Sequence, residues 1–175
     1  RLEICGSAAR KKETIGDLDL LAISRNPSRV MDYFTKLSQA KRVLAKGNTK
    51  STIVLKNNMQ VDLRVLDEKS FGSAMQYFIG SKEHNIILRK IAISKGYKLS
   101  EYGLFRKNKQ IAGRNEEDIY KALGLDFIPA EIRENSGEIE AAKIHKLPEL
   151  IELKDIQGDC HMHTSQTDGA NKMEE

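Results

Sequence analysis

The chain has 175 residues, 39% hydrophobic and 31% charged, with a formal net charge of +4. That length supports one or two small domains with real cores, and the composition is that of an ordinary globular protein. It excludes low-complexity classes, and no apolar run reaches the length of a membrane span or opens the chain as a signal peptide.

The charge is unevenly spread. Residues 1–114 hold 23 Lys and Arg against 10 Asp and Glu, a balance of +13, whereas residues 115–175 hold 6 against 15, a balance of −9. A basic first part suits a polyanionic partner such as nucleic acid or a triphosphate, although solvated lysines give the same count. Cys5 and Cys160 are isolated, give neither a disulfide framework nor a CxxC site, and point to a reducing cytoplasm.

In chain order, LEIC at 2–5 reads as a short buried strand that breaks at Gly6. DLDLLAIS at 17–24 reads as a second strand, with Asn26-Pro27-Ser28 as turn and helix cap. Residues 28–39 carry Val30, Phe34 and Leu37 at helical spacing. TKSTIVLKNNMQVDLRVL reads as a hairpin around Asn57-Asn58, and residues 69–79 and 81–95 read as two helices, the second stopping at Gly96. YKLSEYGLFRKNKQIAG reads as a further hairpin with a basic tip, and residues 115–123 as a short helix ending at Gly124. From Pro129 to Pro148 the chain is acidic, helical or irregular, and reads as a connector; strand character resumes near Ile156 and then stops. Strands and helices follow one another without a strict βαβ rhythm, so the predicted class is α+β.

Three acids carry the chemistry. Asp17 and Asp19 stand one residue apart, so on a strand both carboxylates project from one face. Asp62 lies on the polar face of QVDLRVL, where Val61, Leu63 and Val65 alternate with Asp62 and Arg64. Any one such acid is ordinarily just solvated. Three on neighbouring strands call for compensation, most naturally by Mg2+, a hard cation that takes oxygen ligands and leaves positions open for phosphates. Two such ions, about 4 Å apart, suit an attacking hydroxyl and a leaving phosphate oxygen.

Ahead of the acids stands a Gly6-Ser7 step. A strand that turns at glycine into a helix start exposes backbone N–H groups to an anion. Ser7 adds a hydroxyl, Arg10 to Lys12 add positive charge, and Gly16 lets backbone approach a ligand. Tyr77 and Phe78, read alone, are core aromatics; Asn85 and Arg89 fall four apart on one helix face, which is ordinarily a solvated face. His84 and His145 read as surface residues, and Cys160 as an inward-facing apolar residue. His161 and His163 alternate on a strand, so both imidazoles point one way, as metal ligands do.

GSAARKKETIGDLDLL followed by VDLRVL resembles the nucleotidyltransferase palm of family X DNA polymerases, the polymerase beta-like group. YFIGSKEHNIILRKIAISKGYKLSEYGLF at 77–105 is similar to their thumb, and DIQGDCHMHTSQTDG at 155–169 is similar to the first motif of a PHP phosphoesterase domain. The order is that of the bacterial and archaeal members. The resemblance implies a palm over 1–68 with a mixed or antiparallel sheet, a small α/β thumb over 69–134, a connector over 135–154, and the start of a PHP domain over 155–175. It implies that Asp17 and Asp19 bridge two Mg2+ ions, with Mn2+ able to substitute, and that Asp62 binds the catalytic one. Gly6, Ser7, Arg10 and Gly16 would hold the dNTP phosphates, and Tyr77, Phe78 and Gly80 would line the sugar pocket. Asn85 would reach the incoming base and Arg89 the template strand, while Arg64 would lie beside Asp62, near the DNA, and tune its orientation through a charge-assisted contact.

The implied activity is templated transfer of dNMP to a primer 3′-hydroxyl on gapped or primer-template DNA, filling short gaps in repair, in a cytoplasmic, nucleoid-associated protein with no membrane partner. The alternatives are a template-independent nucleotidyltransferase, a DNA-binding fragment inactive without upstream domains, and a palm that scaffolds a PHP nuclease. Ala9, Lys11 and Ile79 depart from the family pattern, where many members carry arginine, glycine and threonine. A PHP site would need further ligands beyond His161 and His163, so both are expected to be idle here. The resemblance also implies an upstream helix-hairpin-helix region, so a core without its main DNA handles is expected.

Overall fold

In the computed structural model, residues 1–158, 161 and 163–172 are described. The expectations for Asp159 and Cys160 lie outside them.

The first half builds a five-stranded sheet from β1 (Leu2–Ile4), β2 (Asp17–Ile23), β3 (Ala40–Lys46), β4 (Lys50–Leu55) and β5 (Gln60–Leu66), in the order β1-β2-β5-β4-β3. Only β2 and β5 run parallel; every other neighbouring pair is antiparallel. The period of two in QVDLRVL settles the faces. Leu18, Leu20 and Ala22 lie opposite Val61, Leu63 and Val65 in register and pack with Met31 and Phe34 of α2 (Pro27–Thr35). Asn26 caps α2, its side chain accepting from the Arg29 N–H at 3.1 Å. The other face of β2 and β5 carries Asp17, Asp19 and Asp62. Beside them Leu21 packs with Cys5, Ala74 and Ile79, which brings in the one-turn helix α1 (Gly6–Ala9) and α3 (Phe71–Ile79).

The second half gathers α4 (Lys82–Ser94), a three-stranded meander of β6 (Lys98–Ser100), β7 (Gly103–Arg106) and β8 (Lys109–Ala112), then α5 (Glu116–Leu123) and α6 (Glu138–Lys143). Its core holds Leu88, Leu104, Ile119, Tyr120 and Ile128. The class is α+β, as the sequence pattern predicts.

Several expectations change. β3 is a strand the pattern does not announce: AKRVLAK is an exposed edge with a register shift, so it has no buried face to impose alternation. YKLSEYGLFRKNKQIAG makes three strands and two turns rather than one hairpin, because Tyr102 closes a turn between Ser100 and Gly103. The segment after 134 is more than a connector, since Ile139 and Ala142 are buried in the same core as Leu88. Ile156 is exposed and lies in no strand.

His84 is not a surface residue. It is fully buried, with Nδ1 2.7 Å from Glu138 Oε1 and Nε2 3.0 Å from the Tyr120 hydroxyl. Glu138 also accepts from the Asn135 and Ser136 N–H groups at 3.0 and 2.7 Å. Alongside, Arg133 is fully buried, donating to the Ile128 carbonyl at 2.6 and 2.8 Å and pairing with Glu116.

Candidate active site

The parallel register places Asp19 directly opposite Asp62, and Asp17 opposite Gln60, all on one face. Three carboxylates drawn together disfavour one another's charge. Asp19 shows it: partial burial first, then Asp17 and Asp62, push its carboxyl above the usual range, while Lys50 and Arg10 act the other way.

Asp62 is held from two sides. Thr52 on β4, its cross-strand partner, donates its hydroxyl to Oδ1, and Gln60 Nε2 donates to Oδ2 at 3.0 Å. Lys50 Nζ stands 4.0 Å from Oδ1. Arg64 does not take the expected place as the orienting partner of Asp62. Two residues further along the same strand, it lies over the Phe78 ring, 5.3 Å from its centroid. Thr52, Gln60 and Lys50 are therefore functional candidates that sequence reasoning missed. Their signal was available only in the hairpin register, which sets Thr52 against Asp62.

The turn ahead of β2 is built on Gly6. Its φ is +62°, and a β-carbon there would come within 2.3 Å of Asp19 Oδ2, so the position requires glycine on both counts. Cys5, just before it, bonds the Asp19 carbonyl through its N–H at 2.8 Å. Burial, then Asp19, pushes the Cys5 thiol up to about 12, which leaves it an apolar filler rather than a nucleophile.

A cavity of about 390 Å³ opens over these groups, lined by Gly6, Ser7, Arg10, Asp17 and Asp19 from one side and Tyr77, Phe78, Gly80, Asn85 and Arg89 from the other. Asp62 and Arg64 line an adjoining cleft that shares Asp19 and Phe78. Among the residues expected to hold Mg2+, dNTP or DNA in the palm and thumb, Gly16 alone lines neither; it is exposed, next to Asp17. Tyr77 and Phe78 are half-buried, edge to face at 5.0 Å, rather than simple core aromatics. Asn85 is buried and fixed, receiving from Gln76 Nε2 at 2.6 Å and donating to the Tyr77 carbonyl at 2.7 Å. Arg89 lies 6.0 Å from the Tyr77 ring centroid.

Arg10 lines the cavity and is already engaged by protein partners. Nε donates to Glu134 Oε1 at 2.7 Å and Nη1 to the Ile79 carbonyl. Lys11 has a φ of +52°, a conformation that suits the glycine common at this position in the family resembled. At the far end of the chain His161 and His163 meet with their Nε2 atoms 2.8 Å apart, and His163 also pairs with Asp168.

Among the described residues no three His, Cys, Asp or Glu side chains are already gathered as a ligand set for one ion. The donors nevertheless fit a hard divalent cation: three carboxylates on one face, one of them with its charge already disfavoured by the others, and all of them oxygen ligands. No helix among the described residues is long and apolar enough to cross a membrane.

A mixed sheet carrying paired aspartates beneath a glycine turn, joined to a helical and three-stranded second half, is an architecture shared with polymerase beta. Residues 74–134 match the DNA polymerase beta thumb family. The chain is 37% identical over 174 residues to the DNA polymerase/3'-5' exonuclease PolX of Bacillus subtilis, across 97% of this chain and 30% of that protein. It is 27% identical over 132 residues to the repair DNA polymerase X of African swine fever virus, across 70% of this chain and 75% of that one. The crystal structure of Leishmania infantum polymerase beta in a ternary P/T complex superposes with a TM-score of 0.68 at 28% identity, across 76% of this chain and 67% of that one. The chain is thus similar to family X DNA polymerases. It spans less than a third of the length of the bacterial relative.

Proposed function

We propose that this chain is the nucleotidyl-transfer core of a templated DNA polymerase, adding dNMP to a primer 3′-hydroxyl and serving short-gap filling in DNA repair. The observation that carries it is the Asp19–Asp62 register pair, with Asp17 on the same face, beside one cavity lined by the turn residues Gly6, Ser7 and Arg10 and by Tyr77, Phe78, Gly80, Asn85 and Arg89.

Phosphoryl transfer asks the protein mainly for positioning and charge neutralisation. Two Mg2+ ions, or Mn2+ in their place, held by Asp17, Asp19 and Asp62, would supply the neutralising charge and acidify the attacking hydroxyl. The remaining work falls to side chains. Gly6 leaves room for the Asp19 carboxylate, and Thr52 and Gln60 fix the rotamer of Asp62 on the primer side. Tyr77 and Phe78 present a half-buried wall to a sugar, and Asn85, tied to Gln76 and the Tyr77 carbonyl, presents a fixed amide to a base. The side-by-side imidazoles of His161 and His163 support the further reading that a PHP domain begins near residue 155.

The test is single-nucleotide extension of a primer in a one-base gap, each dNTP offered alone with Mg2+ or Mn2+, beside an Asp62→Ala control. Incorporation of the complementary base only, lost in the control, is the expected result. Incorporation regardless of template would favour a template-independent transferase, and absence of incorporation even with upstream residues restored would sink the catalytic reading.

A further inference from the structure

The three basic side chains that follow α1 are all met by acids from one short stretch of the second half. Arg10 Nε donates to Glu134 Oε1 at 2.7 Å, Lys12 Nζ lies 3.5 Å from that same oxygen, and Lys11 Nζ lies 2.8 Å from Glu131 Oε1. The stretch is anchored and not a loose tail. Arg133, between the two acids, is fully buried on Glu116 and the Ile128 carbonyl, and its own carbonyl accepts from the Ser81 N–H at 3.0 Å. The Arg10 side chain, only 13% exposed, is the best shielded member of the cluster and the one that lines the cavity. Burial works against the charge of Glu134, yet its bonds to Arg10 and Lys12 outweigh that and hold its carboxyl below the usual range. It is an ionised partner.

We propose that Glu134 is an internal anion of the phosphate end of the cavity, competing with a bound polyphosphate for Arg10 and Lys12. The inference rests on reading that cavity as the triphosphate site. In the ligand-free state three positive charges face two negative ones, so the loop presents a net charge of one; neutralising Glu134 doubles it. A polyphosphate carries more charge and more acceptor oxygens than one carboxylate, so it displaces Glu134 from the guanidinium while the Ile79 carbonyl keeps Arg10 in place. Glu134 therefore lowers the affinity of the site for polyphosphate. It also ties ligand arrival to release of an ion pair between the palm turn and the segment after α5.

The experiment is calorimetric titration of inorganic tripolyphosphate into the 175-residue chain, as wild type, Glu134→Gln, Glu134→Ser, Arg10→Ala, and the double variant Arg10→Ala/Glu134→Gln. Both Glu134 single variants are expected to bind about fivefold tighter than wild type, the scale of one partly exposed charge pair. Measured against Arg10→Ala alone, the double variant shows no gain, which a merely structural role for Glu134 would not produce. Unchanged or weaker binding by both Glu134 single variants, with wild type binding, overturns the proposal and leaves the cavity assignment standing. A wild type that takes neither tripolyphosphate nor any dNTP overturns both.

Discussion

Gly6 and Asp19 share one small volume: a β-carbon on the glycine would stand 2.3 Å from the Oδ2 atom of the aspartate. Because Gly6 also has a φ of +62°, alanine there meets both a clash and a strained backbone. Gly6→Ala is expected to cost about 1–2 kcal/mol of stability and to lower incorporation about 100-fold by displacing the Asp19 carboxylate. Urea unfolding and gap extension measure the two effects. Full activity in a stably folded variant would show that Asp19 does not need its present position.

Asp19→Asn separates stability from activity. Removing one of three crowded carboxylates relieves the repulsion that raises the Asp19 pKa along with its burial. The expected result is a gain of about 0.5–1 kcal/mol together with loss of nucleotide incorporation. A lower melting temperature would contradict mutual repulsion among the acids.

Thr52→Val keeps the shape of a nearly buried side chain and deletes its hydroxyl bond to Asp62. With Gln60 still in place, kcat is expected to fall about 10- to 100-fold, with the KM for dNTP changed far less. Equal effects on both constants would mean that Thr52 acts in binding and not in holding Asp62.

The buried histidine makes a pH prediction. Burial, the largest influence, pushes the His84 pKa down, and Arg133 adds to this, while Glu138 acts the other way. The neutral ring donates from Nδ1 to Glu138 and accepts at Nε2 from Tyr120. Since the folded pKa is depressed, below the ordinary value of about 6.5 the unfolded chain takes up a proton that the folded one does not. Stability from this group is thus full above that pH and falls as pH drops toward the folded pKa. Glu138 works in the same direction: although burial opposes it, bonds from His84 and the backbone hold its pKa down, so its contribution is lost as pH falls further. Melting temperature is expected to decline from pH 7 to pH 5. His84→Phe is expected to flatten the upper part of that decline while costing about 2–4 kcal/mol at pH 7, because two buried polar partners lose their bonds. An unaltered slope in the variant would place the titration elsewhere.

The acids and the glycine turn were legible in the sequence because each sits on an element with clear periodicity or a turn residue, whereas Tyr77 and Phe78 read alone as core aromatics and only the family resemblance set them at a cavity. β5 alternates polar and apolar from Gln60 to Val65, which is why Asp62 could be set on the polar face with Arg64. What was illegible depends on partners distant in the chain. His84 lies in a helix among Lys82, Glu83 and Asn85 and looks solvated there; Glu138 and Tyr120, which bury it, arrive from α6 and α5. Arg64 stands two residues from Asp62 and suggests a local pair, yet the Phe78 ring takes it and Thr52 takes its place. β3 has no buried face, so nothing in its composition separates it from a basic loop. The acidic stretch after Pro129 reads as a connector because its charges dominate, while Ile139 and Ala142, which seat it in the core, are too sparse to show a period.

The parallel pairing of β2 with β5 has a bearing on biosynthesis. Between the two strands run α2, β3 and β4, all of which must emerge and fold back before Asp62 can reach Asp19. Closing so long an excursion is entropically costly and slow beside hairpin formation. A nascent chain that ends at β4 therefore owns two aspartates and a glycine turn but no third acid. Interrupted translation yields products that lack the three-acid face, so under the proposed function the capacity to join nucleotides would arrive only with a folded sheet.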